Sequence, residues 1–250
     1  MKISLEIFPP KKAEAQVKLL EAVRALPAET LLAVSTGLGK AYAPTDFIEQ
    51  LIKTHKNIML NIAGSRTEPE EVMKQLQHYK TLGINKLLIL RGDQRQEGPR
   101  PEKAFGFAAE LVTTVKQTFS NDFYISVAGY PEDLSDLHYL KHKVDCGADQ
   151  IITQYFFDAA VYPSFVTRCR DAGIQVPIIP GVMPLHDIET IGALANRQGV
   201  SVPDKTKEQY ATKPEKFLDD HIKQLRDYGA PAVHVFTMNQ LNLTVLMSQV

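Results

Sequence analysis

From Thr67 to Asp93 the chain reads TEPEEVMKQLQHYKTLGINKLLILRGD, and this stretch contains one complete structural repeat. Thr67-Glu68-Pro69-Glu70-Glu71 opens a helix, with proline near its first position and acidic residues in its first turn. Leu82-Gly83-Ile84 closes it, because a helix C-terminus turns into a left-handed conformation that Cβ-bearing residues resist. The apolar run Leu87-Leu88-Ile89-Leu90 then reads as a buried strand that delivers Arg91-Gly92-Asp93 at its end.

The glycine junction recurs at Cys146-Gly147-Ala148, Ala172-Gly173-Ile174 and Tyr228-Gly229-Ala230, each between a helix and a strand. Strands are expected at 2–8, 30–36, 57–63, 86–91, 123–129, 149–156, 175–180 and 231–237. Amphipathic helices are expected at 12–26, 44–54, 68–82, 102–118, 134–146, 159–172, 186–197 and 213–228. Eight such units in 250 residues average about 31 residues each, the size of a βα repeat. The simplest reading is an α/β fold, a single (β/α)8 TIM barrel occupying 1–250 as one catalytic domain. A doubly wound sheet is the alternative, although no strand leads into a GxGxxG turn. Residues 199–215 read as an insertion holding one short helix, and Leu241 to Val250 as the last barrel helix.

Composition narrows the function. Lys+Arg number 28 against 29 Asp+Glu, so the formal charge of −1 leaves no electrostatic footprint for nucleic acid or a membrane surface. No apolar run reaches the roughly 18 residues of a membrane span. Lys2 and Glu6 place charge inside what would be a signal-peptide core. Cys146 and Cys169 lack framework spacing, which suits a reducing, cytoplasmic setting.

In a parallel barrel the βα-loops at the C-terminal strand ends build the active site. Here those ends are polar: Glu6, Ser35-Thr36, Asn61, Arg91-Gly92-Asp93, Tyr130-Pro131-Glu132, Thr153-Gln154 and Thr237-Met238-Asn239. Ile3, Leu5 and Ile7 share one face of the first strand and Ser4 and Glu6 the other, so Glu6 is expected to point into the mouth. A carboxyl there loses water, gains pKa and can serve as a general acid near neutral pH. The structural alternatives are a buried Glu6–Arg91 ion pair and an Asp93 that belongs to a turn. His138, His142 and Cys146, with Asp136 nearby, have a spacing that could present metal ligands on one helix face. Cofactor contact or solvated surface is preferred there, and no metal is expected. Gly37-Leu38-Gly39-Lys40 lacks the spacing and the hydroxyl of a phosphate loop. Gln94 to Lys103 reads as a lid or as a plain surface loop.

Taken together, Leu5-Glu6-Ile7-Phe8-Pro9-Pro10, Leu90-Arg91-Gly92-Asp93, Tyr130-Pro131-Glu132, Thr153-Gln154-Tyr155-Phe156-Phe157-Asp158, Ile178-Ile179-Pro180-Gly181-Val182-Met183-Pro184 and Phe236-Thr237-Met238-Asn239 resemble the bacterial-type 5,10-methylenetetrahydrofolate reductase family. The resemblance runs in order along nearly the whole chain. It implies a barrel that binds FAD and reduces methylenetetrahydrofolate to 5-methyltetrahydrofolate with NADH or NADPH, the two substrates alternating in one site. Glu6 would be the acid that opens the folate's five-membered ring to an iminium, and Asp93 would stabilise that cation beside the flavin. Gln154 would hydrogen-bond the pterin, Leu194 would pack on substrate or nicotinamide, and Met238 would join the substrate set. Flavin contacts would come from Ser35, Asn61, Leu90, Arg91, Gly92, Asp93, Phe107, Ala108, Ala128, Tyr130, Asp136, Tyr139, His142, Lys143, Ile152 and Phe236.

Four features depart from the family pattern. Asn61 stands where a His is common, Phe107 where a Tyr is usual, and His142 where an Arg is usual; the loop after Glu132 is short and lacks its His. Two other readings stay open: a flavin-independent reductase, and a non-catalytic flavin- or folate-binding partner subunit. The expected partners are the folate and NAD(P)H, with the chain a homo-oligomer.

Overall fold

The computed structural model describes residues 1–36, 43–92, 103–133, 135, 137–184, 192, 195–196, 198–212 and 214–241. Eight parallel strands close into a barrel in chain order: β1 (Lys2–Ile7), β2 (Leu31–Val34), β3 (Ile58–Ala63), β4 (Lys86–Leu90), β5 (Tyr124–Gly129), β6 (Gln150–Tyr155), β7 (Ile178–Val182) and β8 (Ala232–Phe236). Closure comes from β8 pairing with β1, with Ser4 opposite His234 and Glu6 opposite Phe236. The described helices are α1 (Ala13–Arg24), α2 (Thr45–Thr54), α3 (Pro69–Thr81), α4 (Ala108–Phe119), α5 (Leu137–Asp145), α6 (Val161–Asp171), α7 (Asp204–Thr212) and α8 (Pro214–Asp227). A short 3₁₀ turn, Gly64–Arg66, follows β3.

Strand alternation sorts the side chains into two cores. Leu5, Ile7, Leu32, Val34, Leu60, Ile62, Ile89, Val127 and Val235 face outward. They pack with apolar helix residues such as Phe47 and Leu51 of α2 or Leu111 and Val115 of α4. Inside the barrel, Ala33, Met59, Leu88, Ile152 and Ile179 form a smaller apolar plug. Polar groups beside it make hydrogen bonds to one another, although His234 Nε2 is left without a partner. Ser4 Oγ lies 2.8 Å from His234 Nδ1, and Gln150 Nε2 donates to Ser126 Oγ at 2.8 Å.

The four junction glycines, Gly83, Gly147, Gly173 and Gly229, all have positive φ, the conformation the sequence required of them. Several elements begin later than the sequence suggests, and for two of them the structure shows the reason. β7 starts at Ile178 rather than 175, because Arg170 Nη1 donates to the carbonyls of Ile174 and Val176 and ties that segment to the end of α6. α4 starts at Ala108 rather than 102: the Glu110 carboxylate accepts the N–H groups of Gly106 and Phe107, which sets the first turn there. α7 falls inside the expected 199–215 insertion. Most of the expected helix at 186–197, nearly all of the 94–103 loop and all but Leu241 of the last segment lie outside the described residues.

Candidate active site

β1 places its polar face inward, and Glu6 ends up 7% exposed inside the C-terminal mouth. Asn61 on β3, 2% exposed, reaches across and donates Nδ2 to Glu6 Oε1 at 3.2 Å. Two influences therefore act on the Glu6 carboxyl. Loss of water raises its pKa, the Asn61 hydrogen bond lowers it, and burial wins, leaving the group at about 7. The alternative of a buried Glu6–Arg91 ion pair is not what forms, since Arg91 is exposed at the end of β4.

The backbone carrying Glu6 is held from β8. Thr237, fully buried, donates Oγ1 to the Glu6 carbonyl at 2.5 Å. Asn239 accepts the Phe8 N–H at 2.7 Å on Oδ1 and donates Nδ2 to the Phe8 carbonyl at 2.8 Å. Both residues lie in a segment the sequence marked as polar. Their crossing to β1 has no sequence signal, because the partners are 231 positions away.

A second group of expected contacts gathers where the end of β5 meets α5 and the start of α4. Lys143, buried on α5, donates Nζ to the Ala128 carbonyl at 2.7 Å and lies 5.0 Å from the Tyr139 ring centroid and 5.9 Å from that of Tyr130. Phe107 packs on Tyr139 with centroids 5.7 Å apart, and Tyr139 lies 6.3 Å from exposed His142. The Tyr139 hydroxyl accepts the Ala109 N–H beside buried Ala108. Phe107 and Tyr130 remain 51% and 41% exposed, so this is an open aromatic platform backed by a cation.

The remaining positions are dispersed around the rim. Gln154 lines a cavity of about 320 Å³ with Tyr130, Glu132, Tyr155 and Gln198. Its Oε1 accepts the Tyr155 N–H and its Nε2 donates to Gln198 Oε1 at 2.8 Å. Phe236 meets Tyr155 edge-on at 5.4 Å and His234 at 4.9 Å. Ser35 ties β2 to β1 through its N–H to the Ile7 carbonyl, and Leu90 packs against the barrel plug that includes Ile152. Gly92 has φ +95 and runs so close to Ser65 that a Cβ would sit 2.5 Å from the hydroxyl oxygen. Met238 is exposed on the turn after β8. Cys146 Sγ lies 3.9 Å from the His142 ring nitrogens, and His138 is exposed. Asp93, Asp136 and Leu194 lie outside the described residues.

Two buried polar atoms at the end of β3 have no hydrogen-bond partner: Asn61 Oδ1 and Ser65 Oγ. Such groups are uncommon in native interiors and fit a ligand that completes them. The mouth thus offers a proton-bearing carboxyl, unmet polar atoms at the end of β3 and an aromatic platform over a cation. That combination suits a large, flat ligand with anionic groups.

Known proteins resemble this chain in fold and in sequence. A solved structure of an uncharacterized protein from Clostridium thermocellum, described as binding two copies of 5-methyl-5,6,7,8-tetrahydrofolic acid, superposes with a TM-score of 0.66. It is 16% identical and the match covers 95% of this chain and 88% of that one, a likeness of fold. The 5,10-methylenetetrahydrofolate reductase of Pectobacterium carotovorum is 32% identical, covering 97% of this chain and 87% of the relative. That of Escherichia coli is 31% identical, covering 97% and 88%. A Caenorhabditis elegans protein named as a probable NADPH-dependent methylenetetrahydrofolate reductase is 30% identical over 95% of this chain and 40% of its own length. The family model for methylenetetrahydrofolate reductase matches residues 1–249, and the chain belongs to that family.

Proposed function

We propose that the chain reduces 5,10-methylenetetrahydrofolate to 5-methyltetrahydrofolate, with NADH or NADPH as hydride donor and FAD as carrier, within the single barrel of 1–250. The observation that carries the reading is Glu6, a buried carboxyl at the barrel mouth whose pKa of about 7 leaves it substantially protonated at neutral pH. In 5,10-methylenetetrahydrofolate one carbon bridges two nitrogens. A proton from Glu6 to nitrogen 10, as its bond to that carbon breaks, leaves a cationic iminium at nitrogen 5. Hydride addition to the same carbon yields the methyl group. Glu6 is left as a carboxylate that Asn61 Nδ2 already faces at 3.2 Å, and a solvent proton restores it.

The residues present fit FAD. Asn61 Oδ1 and Ser65 Oγ supply unmet polar contacts, Phe107, Tyr130 and Tyr139 supply apolar faces, and Lys143 supplies positive charge. When bound, FAD supplies a ring nitrogen that takes hydride from the nicotinamide and gives it to the folate. Gln154 is the group we assign to the pterin, because its amide lines the cavity beside the mouth and its present partner, Gln198, is an exposed side chain that a ligand can replace. Asp93, one residue beyond Gly92, is assigned to the face of the iminium.

The test is spectroscopic. A yellow protein bleached by NAD(P)H and recoloured by methylenetetrahydrofolate meets the expectation. In Glu6→Gln the bleaching persists and the recolouring is lost. Recolouring at the wild-type rate in Glu6→Gln refutes the acid assignment, and a protein that stays colourless with added FAD refutes the flavin.

A further inference from the structure

We propose that Thr237 and Asn239 are positioning residues for Glu6, fixing the end of β1 so that the carboxyl is held inside the barrel mouth. The inference rests on the reading of Glu6 as the acid.

The β1–β8 ladder ends at the Glu6–Phe236 pair. Immediately after it the chain makes a tight turn, closed by the Gln240 N–H on the Thr237 carbonyl at 2.9 Å. Both central residues lie in the left-handed region, Met238 at φ 51 and Asn239 at φ 63. Asn adopts this conformation readily and Met at a cost, so the turn carries backbone strain at Met238 that other contacts offset.

What it achieves is a replacement of the ladder by side chains. Thr237 Oγ1 accepts the Asn239 N–H at 3.0 Å and donates to the Glu6 carbonyl. The Asn239 amide then meets both backbone polar groups of Phe8, as a neighbouring strand would. The segment needs this help, because Pro9 and Pro10 follow and neither has an N–H with which to continue a ladder. The backbone that leaves Glu6, from its own carbonyl to Phe8, is thereby pinned by two residues of the turn after β8, while the ladder holds the side before it.

The experiment uses the full chain with three substitutions. Asn239→Gly retains the positive φ and removes the amide, Thr237→Val retains the shape and removes the hydroxyl, and Thr237→Ser returns the hydroxyl. Glu6 is titrated directly by the infrared carbonyl stretch of its protonated form, identified by its loss in Glu6→Gln, and folate kcat and KM are measured alongside. We expect Asn239→Gly and Thr237→Val to lower the Glu6 midpoint by about one pH unit as water reaches the carboxyl. Folate kcat falls about 10-fold with a smaller change in KM, as for a misplaced reacting group. Thr237→Ser restores both. A reduced melting temperature with an unmoved Glu6 midpoint and kcat overturns the proposal and leaves the turn a structural device. If Asn239→Gly does not fold, the Thr237→Val and Thr237→Ser pair decides alone. Full folate reduction by Glu6→Gln removes Glu6 as the acid, whereas the infrared titration still reports whether the turn holds its carboxyl.

Discussion

A carboxyl that must give a proton at neutral pH has to sit where its charged form is costly, and that requirement leaves a mark on stability. Glu6 titrates at about 7 in the fold against 4.5 for an ordinary glutamate. The stability this protonated group contributes is fully present below pH 4.5 and is lost as pH rises through 7, because the buried anion is the disfavoured species. Glu6→Gln is therefore expected to lower folate reduction by about 10²- to 10⁴-fold, the usual contribution of a general acid. The same substitution should raise the melting temperature at pH 8, by the equivalent of at most about 3 kcal/mol, and have little effect at pH 4.5. Melting curves at the two pH values check this. Asn61 acts in the opposite sense, since its hydrogen bond stabilises the anion. Asn61→Leu should raise the Glu6 midpoint further and move the alkaline limb of kcat/KM for the folate to higher pH. A limb that stays in place would mean that another group controls it.

At the scale of elements, the contact between β6 and β7 sets the floor of the mouth. The pairing is irregular between Ile152 and Tyr155, and Thr153 Oγ1 bridges it by accepting the Gly181 N–H at 2.9 Å. A Cβ at Gly181 would lie 2.4 Å from the Thr153 carbonyl oxygen and 2.8 Å from the Phe236 ring, and the first of these is backbone that cannot swing away. Gly181→Ala is expected to destabilise the barrel by about 1–3 kcal/mol and to weaken folate binding through Gln154, measured by denaturation and by KM. The repeat itself was legible in the sequence because its signals are local: glycine at four of the helix ends, proline and acids at a helix start, alternation within β1. The start of β7 was not legible, because Arg170 on the preceding helix captures two carbonyls that otherwise look ready for a strand. The same holds at the mouth. Glu6 could be read from the two faces of a single strand, whereas its contacts with Asn61 and Thr237 cross the barrel and depend on which strands become neighbours.

For the whole molecule, the opposed titrations of three buried groups predict how the barrel responds to acid. His234 inside the barrel and His221, stacked on Phe217 near α7, are both driven down to about 4 by burial, the nearby Asp158 opposing this at His221. Their neutral forms contribute stability above pH 6.5 that is lost as pH falls through 4, since the unfolded chain takes up the protons first. Glu6 runs the other way over an overlapping range. Between pH 4.5 and 6.5 the unfolded chain holds two more histidine protons and the folded chain one more carboxyl proton. These three groups thus make stability fall with acidification by a net one proton, about 1.4 kcal/mol per pH unit. His221→Phe should flatten the measured slope by one proton and Glu6→Gln should steepen it by one. Glu132 and Asp219, whose pKa values are also raised, are present in all three proteins and cancel in the differences. Chemical denaturation at several pH values across that window gives the slopes. Equal slopes in wild type and Glu6→Gln would mean that Glu6 titrates in the fold as it does in the unfolded chain. The carboxyl would then be anionic at neutral pH, and its role as proton donor would fail for the molecule as a whole.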